Sequence, residues 1–360
     1  MSGLSTARQR GRIAELCRDN RDSRQLRALV LAEIRQVIDF DAYAWLLTDP
    51  QTRVGSAPLA SVPDLAQLPQ LIRLKYATAL NRWTTLSPNT CVTLAQAARG
   101  DLSQSLLWRE LLHGHGVTDI ASIVMTDRFG CWGFLDLWRR GGQPERFSPH
   151  DQAFLSSLGA ELTAALRACQ AATFIGTSSL VDRSEGPTVL LLSGALELLD
   201  QTPQSDAHLR SLLPTLAAAA PIPAAAYNVA AQLLAVESGV DSQPARARAH
   251  LDGTRWLTLR AARLRSQACP EQAMIAVTVE PIRPADRLDL YARTAGLTRR
   301  ETGLLYHLAR GLSTQQLATE MALSVHTVPD HLKAIFTKTH THNRGTLLAR
   351  ALGAELADPD

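Results

Sequence analysis

Hydrophobic and polar residues follow two different periods in the first half of the chain, and each period predicts one kind of element. Apolar residues three and four positions apart predict amphipathic helices, whereas apolar and polar residues that alternate predict half-buried strands. Asp-Arg-Phe-Gly at residues 127–130 predicts a tight turn. The predicted helices lie at residues 24–38, 68–76, 102–112 and 148–169, and the predicted strands at 41–49, 117–126 and 131–138. This order indicates an α+β domain.

The middle of the chain predicts a second α+β domain after a polar joint at residues 176–186. A strand pair comes first, two helices follow, and three further strands end the segment, with Asp252-Gly253 as a turn. The predicted strands lie at residues 188–193, 196–201, 247–251, 255–264 and 273–281, and the predicted helices at 205–213 and 223–236.

The C-terminal residues predict four short helices with clear start signals. Thr298 with Glu301, and Ser313 with Gln316, each have the spacing of a capping box, and Ser324 is the candidate cap of a third helix. The expected inner positions of this third helix are Val325, Val328, Leu332, Ile335 and Phe336, and the sequence LLARAL forms the fourth helix. Two short helices joined by a tight turn have the form of a helix-turn-helix, although a generic helical segment has the same periodicity.

Composition and charge narrow the class of protein. The chain has 360 residues, of which 46% are hydrophobic and 20% are charged, so packed cores rather than disorder are expected. The start of the chain lacks the apolar core of a signal peptide, and the alanine-rich segment 217–236 contains Asn228 and Gln232, which argues against a membrane span. We therefore expect a cytoplasmic protein. Five dispersed cysteines without a C-x-x-C pair indicate neither a disulfide framework nor a zinc site.

The residues of the C-terminal segment resemble the LuxR-type DNA-binding domain. The matching blocks are LTRRE, LARGLSTQQLA, LSVHTVPDHLKAIFTK and a final Asn-Arg before the last helix, over roughly 60 residues. The resemblance implies that the third helix enters the major groove of double-stranded DNA and that the domain binds as a homodimer. The residues expected to act there are Ser324 as the cap, Thr327 and His331 at the backbone, Asp330 and Lys333 at base edges, and Lys338 and Arg344 at phosphates. Residues 297–352 carry a net charge of +4, which suits phosphate contacts.

Pro329 departs from this family, which commonly has Lys or Gln at that position. If Ser324 caps the helix, Pro329 is the fifth helical residue and removes a hydrogen bond to the Val325 carbonyl, at a cost of up to about 3 kcal/mol. Near a helix start the missing N–H would cost nothing. We therefore expect the helix either to begin about one turn late, at Thr327, or to be kinked between Val325 and Pro329. Gly303 is a second departure, because the family usually has a helix-favouring Glu there.

The N-terminal patterns resemble known sensor domains. The first segment resembles the GAF-type domains of actinobacterial LuxR-type regulators through short blocks such as LPQLIRLKY and GCWGFLDLW, and the second resembles a PAS-like domain. GAF-type domains bind small molecules between the sheet and its helices. The resemblance therefore implies a ligand site near the aromatic residues Tyr43, Trp45, Trp132 and Trp138, for which core packing is the alternative role.

Together these observations predict a multidomain protein: two α+β sensor domains, GAF-like and PAS-like, followed by an all-α four-helix LuxR-type helix-turn-helix domain. The expected boundaries are a GAF-like domain at 1–175, a PAS-like domain at 176–284, a linker helix at 285–296 and a DNA-binding domain at 297–360.

The predicted function is that of a transcriptional regulator in which a small molecule or a protein controls DNA binding, without a membrane contact, a cofactor or a metal. A protein-interaction regulator with a weakened DNA-binding domain is the alternative, and Pro329 and Gly303 favour it. We do not expect an enzyme, because no nucleophile, base and orienting group can be assembled from the sequence.

Overall fold

The computed structural model describes residues 3–19, 21–141, 146–175, 188–203, 223–252, 255–264 and 274–353. The chain divides into two compact units. The sheet unit comprises residues 1–166, 184–249 and 258–280, and the helical unit comprises residues 167–183, 250–257 and 281–360. The predicted polar joint at 176–186, the predicted helix at 205–213, Gly253 of the predicted turn and Cys269 lie outside the described residues.

The first sheet has five strands in the order β2-β1-β5-β4-β3, and its described neighbours pair antiparallel. The strands are β1 (Ala42–Thr48), β2 (Gly55–Ser61), β3 (Cys91–Thr93), β4 (Val117–Asp127) and β5 (Gly130–Arg140). The helices in the same part of the chain, residues 3–172, are α1 (Gly3–Arg18), α2 (Ser23–Arg35), α3 (Leu68–Ala77), α4 (Leu94–Ala97) and α5 (Pro149–Ala172). The predicted hairpin between the two long strands is confirmed, and Asp127 Oδ1 accepts hydrogen bonds from the Phe129 and Gly130 amides in its turn.

Helices α1 and α4 and strands β2 and β3 were not predicted, and one predicted helix is divided into two turns. Residues 102–112 do not form one helix: they form a 3₁₀ turn (Leu102–Gln104) and a π-helical turn (Trp108–Leu112). Asp101 caps the first turn by accepting from the Ser103 amide, and Ser105 Oγ accepts from the Trp108 amide, so local side chains end one turn and begin the next. Strand β2 was not predicted, because its small residues and Pro58 give no alternation; a proline is tolerated here because the strand is at the sheet edge.

The second sheet also has five strands, in the order β7-β6-β10-β9-β8. They are β6 (Thr188–Leu192), β7 (Leu198–Gln201), β8 (Arg246–Asp252), β9 (Arg255–Leu264) and β10 (Met274–Pro281), and helix α6 (Ala224–Glu237) precedes β8. The five predicted strands of this segment are therefore confirmed, within a few residues at their ends. Helix α6 is buried along nearly all of its length, which explains its composition of alanine and small apolar residues.

Inside the sheet unit, buried ion pairs connect the residues around the first sheet with residues on and near the second sheet. Arg248 on β8 donates from Nε and Nη2 to the two carboxylate oxygens of Asp49, which follows β1, at 2.7 and 2.9 Å. Both side chains are 0% exposed. A second pair joins Arg82 to Asp241 at 2.7 Å. Removing one partner of such a pair leaves an uncompensated buried charge, at a cost of about 3–5 kcal/mol.

The helical unit contains helices α7 (Pro284–Thr294), α8 (Arg299–Ala309), α9 (Thr314–Glu320), α10 (Thr327–Thr339) and α11 (Arg344–Leu352). Helix α7, the predicted linker, buries Leu288, Leu290 and Tyr291 in the same core as the helices that follow. Phe174, two residues after the end of α5, also belongs to this core: its ring stacks on Trp256 and meets Tyr291 edge-on, with centroids 5.7 and 5.2 Å apart. No helix in the described part of the chain combines the length and the apolar character of a membrane span.

Candidate nucleic-acid interface and ligand cavity

Two capping boxes fix the starts of α8 and α9. Thr298 Oγ1 accepts from the Glu301 amide at 3.3 Å, and Glu301 Oε2 accepts from the Thr298 amide at 2.7 Å. Ser313 and Gln316 exchange the same pair of bonds at 3.3 and 2.9 Å. Both predicted capping boxes are confirmed. Each satisfies two backbone donors that have no partner within the helix, and therefore sets the helix start to a single residue.

Helix α10 begins at Thr327, which was one of the two alternatives that Pro329 left open. His326 occupies the cap position, and the Thr327 amide donates to Ser324 Oγ at 3.1 Å and to the Ser324 carbonyl at 3.0 Å. Pro329 is thus the third helical residue, in the first turn, where a backbone N–H has no intrahelical acceptor. The proline causes no loss of a helical hydrogen bond at this position.

The late start moves one predicted core residue out of the core. Val325 was expected on the inner side of the third helix, but it lies in the turn before α10 and its side chain is 47% exposed. The other expected inner residues hold the helix in place: Val328, Leu332 and Ile335 are buried and Phe336 is half-buried. The apolar side chain of Val325 therefore faces solvent next to the start of α10.

The outer face of α10 carries the residues that are available to a partner. Pro329, Lys333 and Thr337 follow one another at intervals of four residues, and all three are exposed, as is Asp330. Residues at this spacing lie on one side of a helix. Thr327 and His331 are half-buried at the border of this face, and Ser324 is exposed just before the helix. The face therefore presents one cation, one anion and several short polar groups.

The two remaining predicted contacts, Lys338 and Arg344, lie against neighbouring helices. Lys338 Nζ donates to both carboxylate oxygens of Glu301 at 2.8 and 2.7 Å. Arg344 Nη2 donates to Thr314 Oγ1 at 2.8 Å. Lys338 therefore joins α10 to the first turn of α8, and its positive charge is compensated within the protein.

The electrostatics of Glu301 follow from these contacts. Burial alone would raise the pKa of the Glu301 carboxyl, but the hydrogen bond and charge of Lys338, together with the bonds from Thr298, outweigh burial and lower the pKa. Glu301 consequently remains ionised and fixes the Lys338 ammonium. The sequence indicated Glu301 as a capping residue, and its second role toward α10, 37 residues away, was missed.

Residues 295–351, which span α8 to most of α11, match a known family. These residues, the LuxR-family segment, match the family described as bacterial regulatory proteins, luxR family. The match includes helices α8, α9 and α10, and therefore the exposed face of α10. The predicted resemblance of this segment is confirmed. A search of the curated proteins found no significant match.

Two solved structures align with most of the chain at low TM-scores. A crystal structure of Escherichia coli SdiA has a TM-score of 0.35 and 12% identity, and covers 97% of this chain and 98% of that chain. A structure of SdiA in complex with octanoyl-rac-glycerol has a TM-score of 0.36 and 11% identity, and covers 98% of this chain and 95% of that chain.

Outside the LuxR-family segment, the four aromatic residues predicted at a ligand site are separated by the first sheet. Trp138 lies on the wall of a cavity that Ala44 and Leu46 of β1 also line. Because successive side chains of a strand point to opposite faces, Tyr43 and Trp45 lie on the other side of the sheet. Trp45 is fully buried, and Tyr43 is half-buried beside Phe40 with ring centroids 6.2 Å apart. Trp132 is also fully buried, and its indole donates to Asp127 Oδ1 at 3.0 Å.

The cavity contains polar residues that the sequence analysis did not select. Lys75 on α3 pairs with Asp136 on β5 at 2.7 Å, and Asn228 on α6 also lines the wall. The signal for Asn228 is visible in the sequence, since it is a carboxamide in the alanine-rich helix AAAYNVAAQLL.

Proposed function

We propose that the protein is a DNA-binding transcriptional regulator, in which the helical unit binds double-stranded DNA and the sheet unit senses a small molecule. The observation that carries the proposal is the two-sided character of α10 in a LuxR-family segment. One side is fixed in the core by Val328, Leu332 and Ile335, and the other exposes Pro329 and Lys333. A helix held in this way can enter a major groove without rearrangement of its own core.

The residues of the proposed interface have different roles. Lys333, which is exposed in the middle of α10, donates to guanine O6 or N7, and Asp330 accepts from cytosine N4. Ser324, Thr327 and His331 lie near the start of the helix and contact the phosphate backbone. Arg344 contributes to the positive potential near the phosphates, whereas Lys338, whose charge Glu301 compensates, holds α10 against the first turn of α8. Binding as a homodimer would place two copies of α10 in successive grooves.

A second candidate function is protein interaction by a regulator whose DNA affinity is weak. Two observations favour it: Val325 exposes an apolar side chain beside the proposed groove-facing residues, and Glu301 compensates the charge of Lys338. Asp330 adds a negative charge that repels phosphate. These features would favour an apolar and partly cationic partner surface over DNA.

Selection of bound duplexes from a random pool by the full chain, followed by mobility-shift titration at two salt concentrations, tests the proposal. We expect one sequence class to be enriched, and its affinity to fall as the salt concentration rises. Lys333→Ala should weaken binding about ten-fold or more. Arg21→Ala, which removes an equal charge at an exposed site in the sheet unit, serves as the control and should leave the affinity unchanged. No enrichment, together with no effect of Lys333→Ala, would favour the protein-interaction alternative.

The proposed role of Asp330 predicts a change of base preference. An asparagine of the same size accepts and donates, and therefore pairs with adenine N6 and N7, whereas the carboxylate pairs with cytosine N4. Asp330→Asn should shift the selected base from cytosine toward adenine at one position of each half-site. An unchanged sequence preference would place Asp330 outside the base contacts.

A further inference from the structure

The connection between α9 and α10 exposes an apolar side chain. Val325 is 47% exposed, and within the described segment 284–353 it is the only large hydrophobic residue with more than a third of its surface exposed. A single exposed valine is common on protein surfaces. The position of Val325 beside the proposed DNA-binding face, rather than its exposure alone, therefore calls for a physical reason.

Hydrogen bonds fix the connection that carries Val325. At the end of α9, the Leu323 amide donates to the Ala318 carbonyl at 2.8 Å, and the Leu323 side chain packs half-buried against the core. Residues 324–327 then close as a turn: the Thr327 amide donates to the Ser324 carbonyl at 3.0 Å, and the two hydroxyl oxygens lie 2.8 Å apart. Val325 is thus held outward by a bonded turn, and little backbone entropy is lost when it meets a partner.

Val325 continues the exposed face of α10 toward the start of the helix. His326, the cap residue, already has helical torsion angles, with φ of −75° and ψ of −23°. Val325 therefore precedes Pro329 by about one helical turn, as Pro329 precedes Lys333. Because Pro329 is exposed as well, two apolar side chains lie at the start of this face and the Lys333 ammonium follows them.

The chemistry of the major groove indicates what an apolar helix start can contact. In a helix-turn-helix complex, the first residues of the recognition helix contact base edges. Thymine carries a 5-methyl group on its major-groove edge, and short apolar side chains contact that methyl. A polar base edge placed against valine would lose hydration without gaining a hydrogen bond. The apolar start of the face therefore favours thymine over the other bases.

We propose that Val325 is a specificity-determining residue that contacts the 5-methyl group of a thymine in the major groove. This inference rests on the proposed DNA-binding function, and it gives the exposed side chain a DNA partner in place of the protein partner of the alternative function. Each selected half-site should contain a thymine at one fixed position, next to the bases that Asp330 and Lys333 read.

Base analogues in the selected duplex test the contact. Each thymine is replaced in turn by uracil, which keeps the pairing and hydrogen-bonding groups and lacks the methyl. Burial of one methyl group changes affinity roughly three- to five-fold, so uracil at the contacted position should weaken binding of the full chain by about that factor. 5-Methylcytosine at the same position, paired with guanine, should bind more tightly than cytosine. Equal affinities for thymine and uracil at every position would overturn the proposal.

Two valine substitutions separate this contact from a general effect of a smaller side chain. Val325→Ala shortens an exposed side chain, so the fold should be kept and the penalty for uracil should disappear. Val236→Ala, at a valine of the sheet unit that is 36% exposed, is the matched control and should retain the full penalty. A penalty that persists in Val325→Ala would place the methyl contact at another residue and overturn the role of Val325.

The selection of DNA and the response to uracil distinguish the failure of this inference from that of the proposed function. Selection of one sequence class without any penalty for uracil would refute the thymine contact and leave the regulator intact. Absence of any selected duplex would refute the regulator, and the thymine contact with it.

Discussion

The two units stabilise their charged and polar groups in different ways. In the sheet unit, Asp49 and Arg248 are fully buried and lie 199 residues apart in the sequence. In the helical unit, the capping boxes at Thr298 and Ser313 join residues three positions apart, and the Lys338 side chain keeps 34% of its surface exposed. A buried long-range pair cannot be solvated when one partner is lost, whereas a local or exposed contact is replaced by water. The sheet unit should therefore be more sensitive to single substitutions of charged residues.

The largest expected effect is that of Asp49→Ala. It leaves the Arg248 guanidinium buried without its carboxylate and should lower the free energy of unfolding by about 3–5 kcal/mol, as measured by urea unfolding followed by circular dichroism. The exposed pair of Arg21 with Asp19 provides the control, since Asp19→Ala should cost less than about 1 kcal/mol. Similar losses for the two variants would remove the proposed contrast between the buried and exposed pairs.

The pH dependence of the sheet unit follows from the same pair. Burial alone would raise the pKa of Asp49, but the charge and hydrogen bonds of Arg248 outweigh burial and lower it. A carboxyl with a lowered folded-state pKa contributes stability that is present above its unfolded value, near pH 4, and is lost as the pH falls through the folded value. We expect urea midpoints measured from pH 6 down to pH 2 to fall less in Asp49→Ala than in the wild type. An equal fall of the urea midpoint in the variant and in the wild type would contradict the lowered pKa of Asp49.

A smaller effect is expected for Lys338→Met in the helical unit. The substitution keeps the length of the side chain and removes the partner of the Glu301 carboxylate, whose side chain is 7% exposed. The free energy of unfolding should therefore fall by about 1 kcal/mol at pH 7. The pKa of Glu301 is lowered, so the loss should be present above about pH 4.3 and should disappear as the pH falls through the folded-state value. The double variant Glu301→Gln with Lys338→Met is the control, because it removes both charges. If the loss of stability in Lys338→Met did not vary with pH, it would come from side-chain packing and not from the Glu301 charge.

A gain of about 0.5–1 kcal/mol is expected for Gly303→Ala in α8. An added Cβ would meet Met321 Cε at 3.8 Å, which is an ordinary contact, and alanine favours a helix over glycine. Gly311→Ala is the matched control: its φ of 83° is left-handed, so the same substitution should destabilise. Thermal unfolding of the two variants measures the expected gain and the expected loss of stability. A loss for Gly303→Ala would show that the glycine is needed for packing.

The smallest effect on stability is expected for Pro329→Ala. Pro329 is the third residue of α10, where its missing N–H removes no helical bond, so the free energy of unfolding should change by less than about 0.5 kcal/mol. Lys333→Pro, four residues further along the same exposed face, should cost about 3 kcal/mol or more because it lies in the helix interior. A gain of several kcal/mol for Pro329→Ala would indicate a strained helix start.

The two units also differ in what the sequence could predict. The capping boxes of α8 and α9 follow from residues three positions apart and were predicted to the residue. The start of α10 remained ambiguous, because the helix could begin directly after Ser324 or one turn later at Thr327. In the structure it begins at Thr327, with Val328 and Leu332 packed in the core. Strand β2 and the pairing of Asp49 with Arg248 were not predicted, since nothing within a few residues of either specifies a partner.

By itself, the sequence determined the elements whose hydrogen bonds close within one turn or one hairpin: the capping boxes of α8 and α9 and the Asp127 turn. It also determined the family resemblance of the LuxR-family segment. Only the tertiary structure decided which buried polar groups find partners. Gln232 and Asn228 are carboxamides one helical turn apart, yet the first is bonded to Arg82 and the second has no partner among the described residues. The reason is physical: local bonds depend on a few consecutive torsion angles, whereas the partner of a buried side chain depends on which distant segments fold against it.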